Sequence, residues 1–198
     1  MTKVLRPGIT ALIAAHPERL RNGMVNETFA SVTAQTLQPD TIVMVNDLEK
    51  AGAGRTRQKL LRMVETEWLA WCDSDDSWYP NHLEDLYRVA TETDSVYVYS
   101  WFDGGDPLGH FGLPFNPCTP HHTTITALVR TELAQEVGFT DTLRNSSFSN
   151  EDWGFITGIA ALACERGLKM THLAARTWHY RQQGQNSSGL PTRGDAKD

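Results

Sequence analysis

The sequence predicts an α/β fold with a mostly parallel central sheet flanked by helices. Short, nearly continuous apolar runs alternate with longer segments in which apolar residues recur every three to four positions. This is the pattern of buried parallel strands joined by helices. The length of 198 residues is enough for one domain with its own core. We therefore expect a single domain over residues 1–183, followed by a flexible tail at 184–198 that is rich in small and polar residues.

The predicted elements follow one another in βαβ order. Apolar runs predict strands at 9–15, 41–46, 67–72 and 95–102, and helical spacing predicts helices at 22–36, 54–66 and 80–93. Further along, we expect a helix at 131–137, a helix from about residue 150 or 151 to residue 167, and a strand at 169–180. The segment 102–122 carries four glycines and four prolines, which predicts a long loop that acts as a mobile cover over a functional site.

Composition disfavours a nucleic-acid or membrane partner and predicts a location. The formal net charge of -6 provides no basic footprint for a nucleic-acid backbone. No apolar run approaches the roughly 18 to 20 residues of a membrane span, so we expect no membrane-spanning segment. The three cysteines, Cys72, Cys118 and Cys164, are odd in number and far apart, which predicts reduced thiols, no disulfide and a cytoplasmic protein.

Aspartates follow two of the predicted strands. Asp47 closes the second strand, and Asp73, Asp75 and Asp76 close the third. Because ligands of open α/β sheets bind beyond the carboxyl ends of the strands, we expect these side chains to converge there. Such carboxylates, together with substrate phosphates, suit Mn²⁺ or Mg²⁺. The alternative is an acidic turn in which Asp76 or Ser77 caps the next helix.

A second acidic pair, Glu151 and Asp152, lies at the start of a predicted helix. A carboxylate in this position can act as a general base. The alternative is purely structural, since Ser149 or Asn150 would cap the helix and acids in a first turn are favoured by the helix dipole.

The order of these motifs resembles the glycosyltransferase family 2 domain of the GT-A fold. The similarity runs through ITALIAAHPER with FASVTAQTLQP, then VMVND, AGAGRTRQKLLRMVETEWLAWCDSDD and GFTDTLRNSSFSNEDWGF. HYRQQGQNSS is similar to a stretch of the family that carries a histidine. Gln183 stands at that histidine's position, and His179 is the local substitute.

The resemblance implies an inverting, metal-dependent transfer of a sugar from a nucleoside-diphosphate sugar, with a UDP-sugar favoured, to an acceptor hydroxyl. The acceptor stays open among a glycan, a small molecule, a protein and a modified nucleic acid. The residues expected to bind the donor are Ala14, Asp47, Arg55, Asp73 and Ser74, and Arg55 could instead orient the carboxylates. The expected metal ligands are Asp75 and His179. Asp152, with Glu151 beside it, is the expected base, and Trp153 and Trp101 are the expected acceptor platform.

Three other functions fit parts of the pattern. A haloacid-dehalogenase-type phosphatase would use Asp73 as nucleophile and Asp75 as acid. A sugar nucleotidyltransferase shares the fold class but should carry a Gly-rich basic loop after the first strand, where this chain has AAHPERLRN. A non-catalytic nucleotide-sugar-binding module would use the same strand ends without needing Glu151 and Asp152.

Overall fold

The computed structural model describes residues 4–49, 51–106, 109–139 and 151–181. The strands in these ranges are β1 (Arg6–Ala15), β2 (Thr41–Asn46), β3 (Thr66–Asp73), β4 (Ser77–Trp78), β5 (Ser95–Phe102), β6 (Ala127–Arg130) and β7 (Lys169–His179). The helices are α1 (Pro17–Arg21), α2 (Met24–Thr33), α3 (Ala53–Met63), α4 (His82–Thr93), α5 (Thr131–Val137) and α6 (Glu151–Arg166).

The strands form one sheet in the order β2-β1-β3-β6-β5-β7-β4. β1 pairs in parallel with β2 and β3, and β5 pairs in parallel with β7. β6 lies between β3 and β5 and is antiparallel to both, and β4 is antiparallel to β7. Five strands therefore point one way and two point the other. The predicted α/β fold with a mostly parallel sheet flanked by helices is confirmed.

Most predicted elements are present, and the differences have local causes. The strands at 41–46 and 95–102 have the predicted bounds. β4 and β6 are not predicted, because strands of two and four residues are too short to show a pattern. The helix predicted at 22–36 is present as α2, which begins at Met24 because Gly23 before it takes a left-handed φ of 81°. The five-residue helix α1, before the predicted range, is not predicted.

The register of β1 places three strand ends side by side. Ala14 pairs with Asp73 on β3, and Ala15 pairs with Asn46 on β2. The residues that follow β1, β2 and β3 therefore share one border of the sheet, which we call the carboxyl edge. This confirms the expectation that the aspartates after the second and third strands lie at the same border.

Helix α6 packs against β3 and α5 through apolar side chains. Phe155 stacks on Phe139 with ring centroids 4.3 Å apart, and both rings meet Trp71 of β3 edge-on. Gly158 allows α5 to come close, since a Cβ at this position would lie 2.5 Å from Val137 Cγ1. These contacts hold α6 against the strand whose end carries the aspartates.

A disulfide joins Cys118 to Cys164, so the prediction of three reduced thiols is wrong. The two Cα atoms lie 5.0 Å apart although the residues are 46 positions apart in sequence, and spacing along the chain cannot reveal such proximity. Cys72 is buried and remains a free thiol. The expectation of a cytoplasmic protein rests in part on reduced cysteines, and the disulfide removes that support.

The loop predicted at 102–122 has no helix or strand beyond Phe102 in its described part. It packs on the domain, because Phe115 is 8% exposed and belongs to the core. The Asp106 carboxylate accepts hydrogen bonds from the backbone N–H groups of His110 and Phe111 at 3.0 and 2.8 Å. The loop is thus held at several points, and its motion as a cover stays a prediction.

Two further expectations concern the chain as a whole. Among the described helices, none combines the length and the apolar character needed to cross a membrane. The tail predicted at 184–198 and the domain boundary at residue 183 lie outside the described residues.

Candidate active site

A buried arginine on α3 joins the two groups of acids. Arg57 Nη2 donates to Asp73 Oδ1 at 2.6 Å, at the end of β3. Its Nη1 donates to Glu151 Oε1 at 3.1 Å and also contacts Asp152 Oδ1, both in the first turn of α6. Only 5% of the Arg57 side chain is exposed. The carboxyl edge and the start of α6 therefore meet at one cation, and we call these four residues the Arg57 cluster.

The burial of Arg57 follows from helical spacing. Leu60, Leu61 and Val64 lie three, four and seven positions further along, share the same side of the helix and are buried. Arg55 is exposed. Arg57 holds the carboxylates in this structure, and a role for Arg55 in binding the donor or orienting the carboxylates stays a prediction. The spacing of Arg57 with the leucines was the signal in the sequence that could have identified it.

Burial and charge together set the protonation of the Arg57 cluster. Burial raises the pKa of Asp152, Arg57 lowers it, and Asp73 and Glu151 raise it again, with the result that the pKa is about 7. Burial lowers the pKa of Arg57, but the three carboxylates outweigh this and raise it above its ordinary value. About 40% of the Asp152 side chain stays exposed. Arg57 therefore remains charged, while Asp152 can exchange a proton with an approaching molecule near neutral pH.

The other two aspartates after β3 have separate partners. Asp75 Oδ2 accepts from Arg19 Nε at 3.2 Å and lies 3.1 Å from Arg19 Nη2. Asp76 is 3% exposed and accepts from the backbone N–H of Arg181 at 3.1 Å. Burial, followed by repulsion from Asp73, raises the pKa of both carboxyls. Both carboxyl groups therefore hold a proton more readily than a fully exposed aspartate does.

The helix-cap alternative for this turn is wrong. Ser77 begins β4, and α4 starts at His82 with Asn81 as its N-cap residue. Asp76 instead binds the backbone of Arg181. The corresponding alternative for the second acidic pair, capping by Ser149 or Asn150, lies outside the described residues.

Two residues expected to bind the donor help to shape the carboxyl edge. Ser74 is 5% exposed, and its Oγ accepts from the backbone N–H of His16 at 3.3 Å. Ala14 is half-buried in β1, beside the end of β3. Both lie where the donor is expected, and direct contact with it stays a prediction.

Asp47, also expected to bind the donor, has a structural role. Its two carboxylate oxygens accept from the backbone N–H groups of Ala51 and Gly52 at 2.7 and 2.9 Å. The residue is 9% exposed. These bonds fix the turn that leads from β2 into α3, and so help to set the position of Arg57.

His179 is bound elsewhere than to the aspartates after β3. Its Nδ1 lies 2.6 Å from Asp103 Oδ2, and the Tyr79 hydroxyl donates to the same oxygen at 2.7 Å. Within the described part of the chain, no group of three or more His, Cys, Asp or Glu residues is arranged to hold a metal ion. The geometry therefore does not support His179 as a metal ligand beside Asp75.

The two tryptophans expected to bind an acceptor differ in position. Trp101 is 2% exposed and its Nε1 donates to the Gly105 carbonyl at 2.8 Å, so it packs in the core, and its contact with an acceptor stays a prediction. Trp153 follows Asp152 directly, and its ring stacks on His122 with centroids 5.8 Å apart. The sequence assigns His122 no ligand role, yet the fold places it next to the Arg57 cluster.

Comparison with known proteins agrees with this geometry. The family model described as Glycosyl transferase family 2 matches residues 48–150, more than half of the chain. The matched range contains α3, β3 and the aspartates after β3, and it ends just before Glu151. The Succinoglycan biosynthesis protein ExoW of Rhizobium meliloti (strain 1021) is 25% identical over 119 residues, which cover 46% of this chain and 37% of ExoW.

Solved structures show the same fold. S. aureus TarS 1-349 in complex with UDP-GlcNAc superposes with a TM-score of 0.73 at 18% identity, covering 93% of this chain and 61% of that one. The mannosyltransferase PcManGT from Pyrobaculum calidifontis, in complex with GDP-Man and Mn²⁺, superposes with a TM-score of 0.60 at 13% identity, covering 88% of this chain and 56% of that one. The predicted GT-A architecture is confirmed.

The chain spans less than two thirds of the length of ExoW and of both solved chains. The family match nevertheless includes the helix and the strand that carry Arg57 and Asp73. Together with the shared fold, this match shows that the protein belongs to glycosyl transferase family 2.

Proposed function

We propose that this domain transfers a sugar from a nucleoside-diphosphate sugar to an acceptor hydroxyl, with inversion at the anomeric carbon. The observation that carries the proposal is the Arg57 cluster, in which Arg57 binds Asp73 at the carboxyl edge and also binds Glu151 and Asp152. Membership of the family supports sugar transfer as the reaction. The likeness to TarS, which was solved with UDP-GlcNAc, supports a UDP-sugar as the donor.

The reaction needs a group that takes a proton from the acceptor. The acceptor oxygen attacks the anomeric carbon, the bond from that carbon to the diphosphate oxygen breaks, and the nucleoside diphosphate leaves with the bonding electrons. Asp152 is the proposed base, because its side chain is partly exposed and its pKa of about 7 lets it accept the proton near neutral pH. Glu151 shares Arg57 with Asp152 and would position it. Attack opposite the leaving group inverts the configuration.

Mn²⁺ or Mg²⁺ is the proposed cofactor. Asp73 and Asp75 supply carboxylate oxygens, which these cations prefer. When bound, such a cation neutralises charge on the leaving diphosphate. Because the described residues hold no preformed group of three ligands, the donor diphosphate would supply further oxygens. The complex of PcManGT with GDP-Man and Mn²⁺ supports this assignment.

The acceptor is proposed to bind beside Trp153 and His122. Trp153 directly follows the proposed base in α6, and His122 stacks on Trp153. Flat aromatic faces suit the apolar faces of sugar rings. A sugar-bearing acceptor would thus bring its hydroxyl toward Asp152.

The rival functions are less well supported. A haloacid-dehalogenase-type phosphatase needs Asp73 as a free nucleophile, but Arg57 donates to its Oδ1 at 2.6 Å. A sugar nucleotidyltransferase would belong to another family. A non-catalytic binding module has no use for a partly exposed carboxylate with a pKa near neutrality, and Asp152 is such a group.

The test compares the wild type with Asp152→Asn and Glu151→Gln. Each protein is mixed with a panel of UDP- and GDP-sugars and candidate glycan acceptors, with Mn²⁺ or with a chelator, and release of nucleoside diphosphate and product configuration are measured. Asp152→Asn should lower turnover by about 10²- to 10⁴-fold, or about 3 to 5 kcal/mol of barrier, with donor affinity little changed. Glu151→Gln should lower turnover by a smaller factor than Asp152→Asn does. Near-native turnover of Asp152→Asn would place the base elsewhere, and donor binding without any turnover would favour a binding module.

A further inference from the structure

We propose that Arg19 competes with the divalent cation for Asp75 and thereby couples cation binding to donor binding. This inference rests on the proposed function, since it concerns the same cation site. The observation behind it is the ion pair between Arg19 and Asp75, in which Nε and Nη2 lie 3.2 and 3.1 Å from the same carboxylate oxygen, Oδ2. The guanidinium thus covers one of the two carboxylate oxygens of Asp75 through which a cation could bind.

The fold holds Arg19 in this place. α1 follows β1 directly at the carboxyl edge, and His16 is its N-cap residue. The backbone N–H of His16 donates to Ser74 Oγ at 3.3 Å, which ties the start of α1 to the residue that precedes Asp75. The side chains of Arg19 and Asp75 are only 20% and 27% exposed. The ion pair is therefore a partly buried contact between two anchored segments.

The charged groups around Asp75 explain why the metal ion and Arg19 should replace one another at this carboxylate. Asp75 lies beside Asp73 and Asp76, and Asp73 is already engaged by Arg57. Without Arg19, Asp75 would lie beside two other carboxyl groups with no counter-ion of its own, an arrangement that favours binding of another cation. A metal ion and a guanidinium at one carboxylate oxygen repel each other, so binding of either one weakens binding of the other.

Binding of the donor should relieve the competition between Arg19 and the cation for Asp75. Arginine binds phosphate oxygens with two parallel hydrogen bonds, so a bound diphosphate gives Arg19 a new anionic partner. Asp75 then becomes available to the cation. The cation and the diphosphate should therefore bind cooperatively, and by thermodynamic linkage each raises the affinity for the other by the same factor. Without the donor, the cation should be held only weakly.

The experiment measures Mn²⁺ binding by electron paramagnetic resonance, with and without UDP, in the wild type, Arg19→Gln and Arg21→Gln. Arg21 lies on the same helix, its side chain is 72% exposed and it pairs loosely with Glu18 at 3.9 Å, so Arg21→Gln is a matched control for loss of charge. Arg19→Gln should bind Mn²⁺ about five- to tenfold more tightly in the absence of UDP, and the gain that UDP produces should shrink by a similar factor. Arg21→Gln should behave as the wild type.

The outcomes separate this inference from the proposed function. Equal Mn²⁺ affinity in Arg19→Gln and the wild type, with the effect of UDP intact, would overturn the competition. The measurement needs no acceptor, so a wild type that shows the predicted coupling but transfers no sugar would contradict only the proposed reaction. A wild type that binds no Mn²⁺ even with UDP would overturn both. Arg19→Gln should stay folded, because both side chains of the ion pair are partly exposed to water, and circular dichroism of the variant checks this.

Discussion

Arg57 makes the candidate site possible because it neutralises acids from two distant parts of the chain. Asp73 ends β3, and Glu151 and Asp152 begin α6. Without Arg57 the three carboxylates around it would repel one another. Without the carboxylates, burial of the charged guanidinium would cost free energy that nothing offsets. The guanidinium and the three carboxylates therefore stabilise one another. The same residue keeps the proposed base close to the carboxyl edge without removing its capacity to take a proton.

Arg57→Met should destabilise the protein severely. The methionine fills much of the same volume but leaves the three carboxylates without their cation, and breaking a buried ion pair from one side costs about 3 to 5 kcal/mol. The measurement is the free energy of unfolding in urea. Lys59→Met on the same helix is the control, because its ion pair with Glu49 is exposed and should contribute at most about 1 kcal/mol. Equal stability of the two variants would contradict the role assigned to Arg57.

The pKa of Asp152 predicts how activity depends on pH. A general base works only when deprotonated, so kcat/KM should fall as the pH drops below about 7, by about tenfold for each pH unit. The residual activity of Asp152→Asn should lack this acidic limb, and a limb that persists in this variant would point to another group.

The same pKa also affects stability. It is raised from 3.8 to about 7 in the native protein, so the native state binds this proton more tightly than the unfolded chain does. The contribution of Asp152 to the free energy of unfolding therefore falls as the pH rises through that range.

Helix α6 connects the proposed base to the loop at 102–122. Cys164, in its later part, forms the disulfide with Cys118, and Trp153, in its first turn, stacks on His122. The two helix positions lie about 16 Å apart at 1.5 Å per residue, and the loop between Cys118 and His122 can span about 13 to 14 Å when extended. This part of the loop therefore runs along the helix and is held at both ends. Its anchoring limits the motion expected of a cover.

Removing the disulfide should weaken this attachment. Replacing both Cys118 and Cys164 by Ser should lower the free energy of unfolding by about 2 to 4 kcal/mol, because the unfolded chain regains the freedom that the cross-link removes. Unfolding in urea with and without a dithiol reductant checks this, and the double variant should not respond to the reductant. Thiol titration of the unfolded, unreduced protein should find one reactive cysteine, Cys72. Three reactive thiols would show that the disulfide does not form.

Gly158 should control how closely α5 and α6 pack. In Gly158→Ala the new methyl group would meet Val137, and such overpacking typically costs about 1 to 3 kcal/mol. In a Val137→Ala background the clash is gone, so the same substitution should stabilise the helix by about 0.5 to 1 kcal/mol through its higher helix propensity. A double-mutant cycle of unfolding free energies measures the difference. Additive effects of the two substitutions would mean that they do not interact.

At the scale of the whole molecule, the order of the strands assembles the site. β1 lies between β2 and β3, so the carboxyl ends of these three strands are neighbours. The polar residues at and after these ends therefore come together. The chain reaches α6 only after β5, β6 and α5, yet the packing of Phe155 on Trp71 brings it back to β3. The candidate site thus combines one border of the sheet with one helix that is remote in sequence.

The sequence by itself determined the α/β class, most strands and helices, the aspartates at the strand ends and the acidic pair of the later helix. These features depend on local periodicity and short motifs, which every segment carries within itself. Only the tertiary structure decided that Arg57 joins both groups of acids, that Trp101 is buried and that Cys118 pairs with Cys164. Each of these depends on which residues, far apart in the chain, come within contact distance. Local patterns carry no record of such contacts, because they arise from the packing of whole elements against one another.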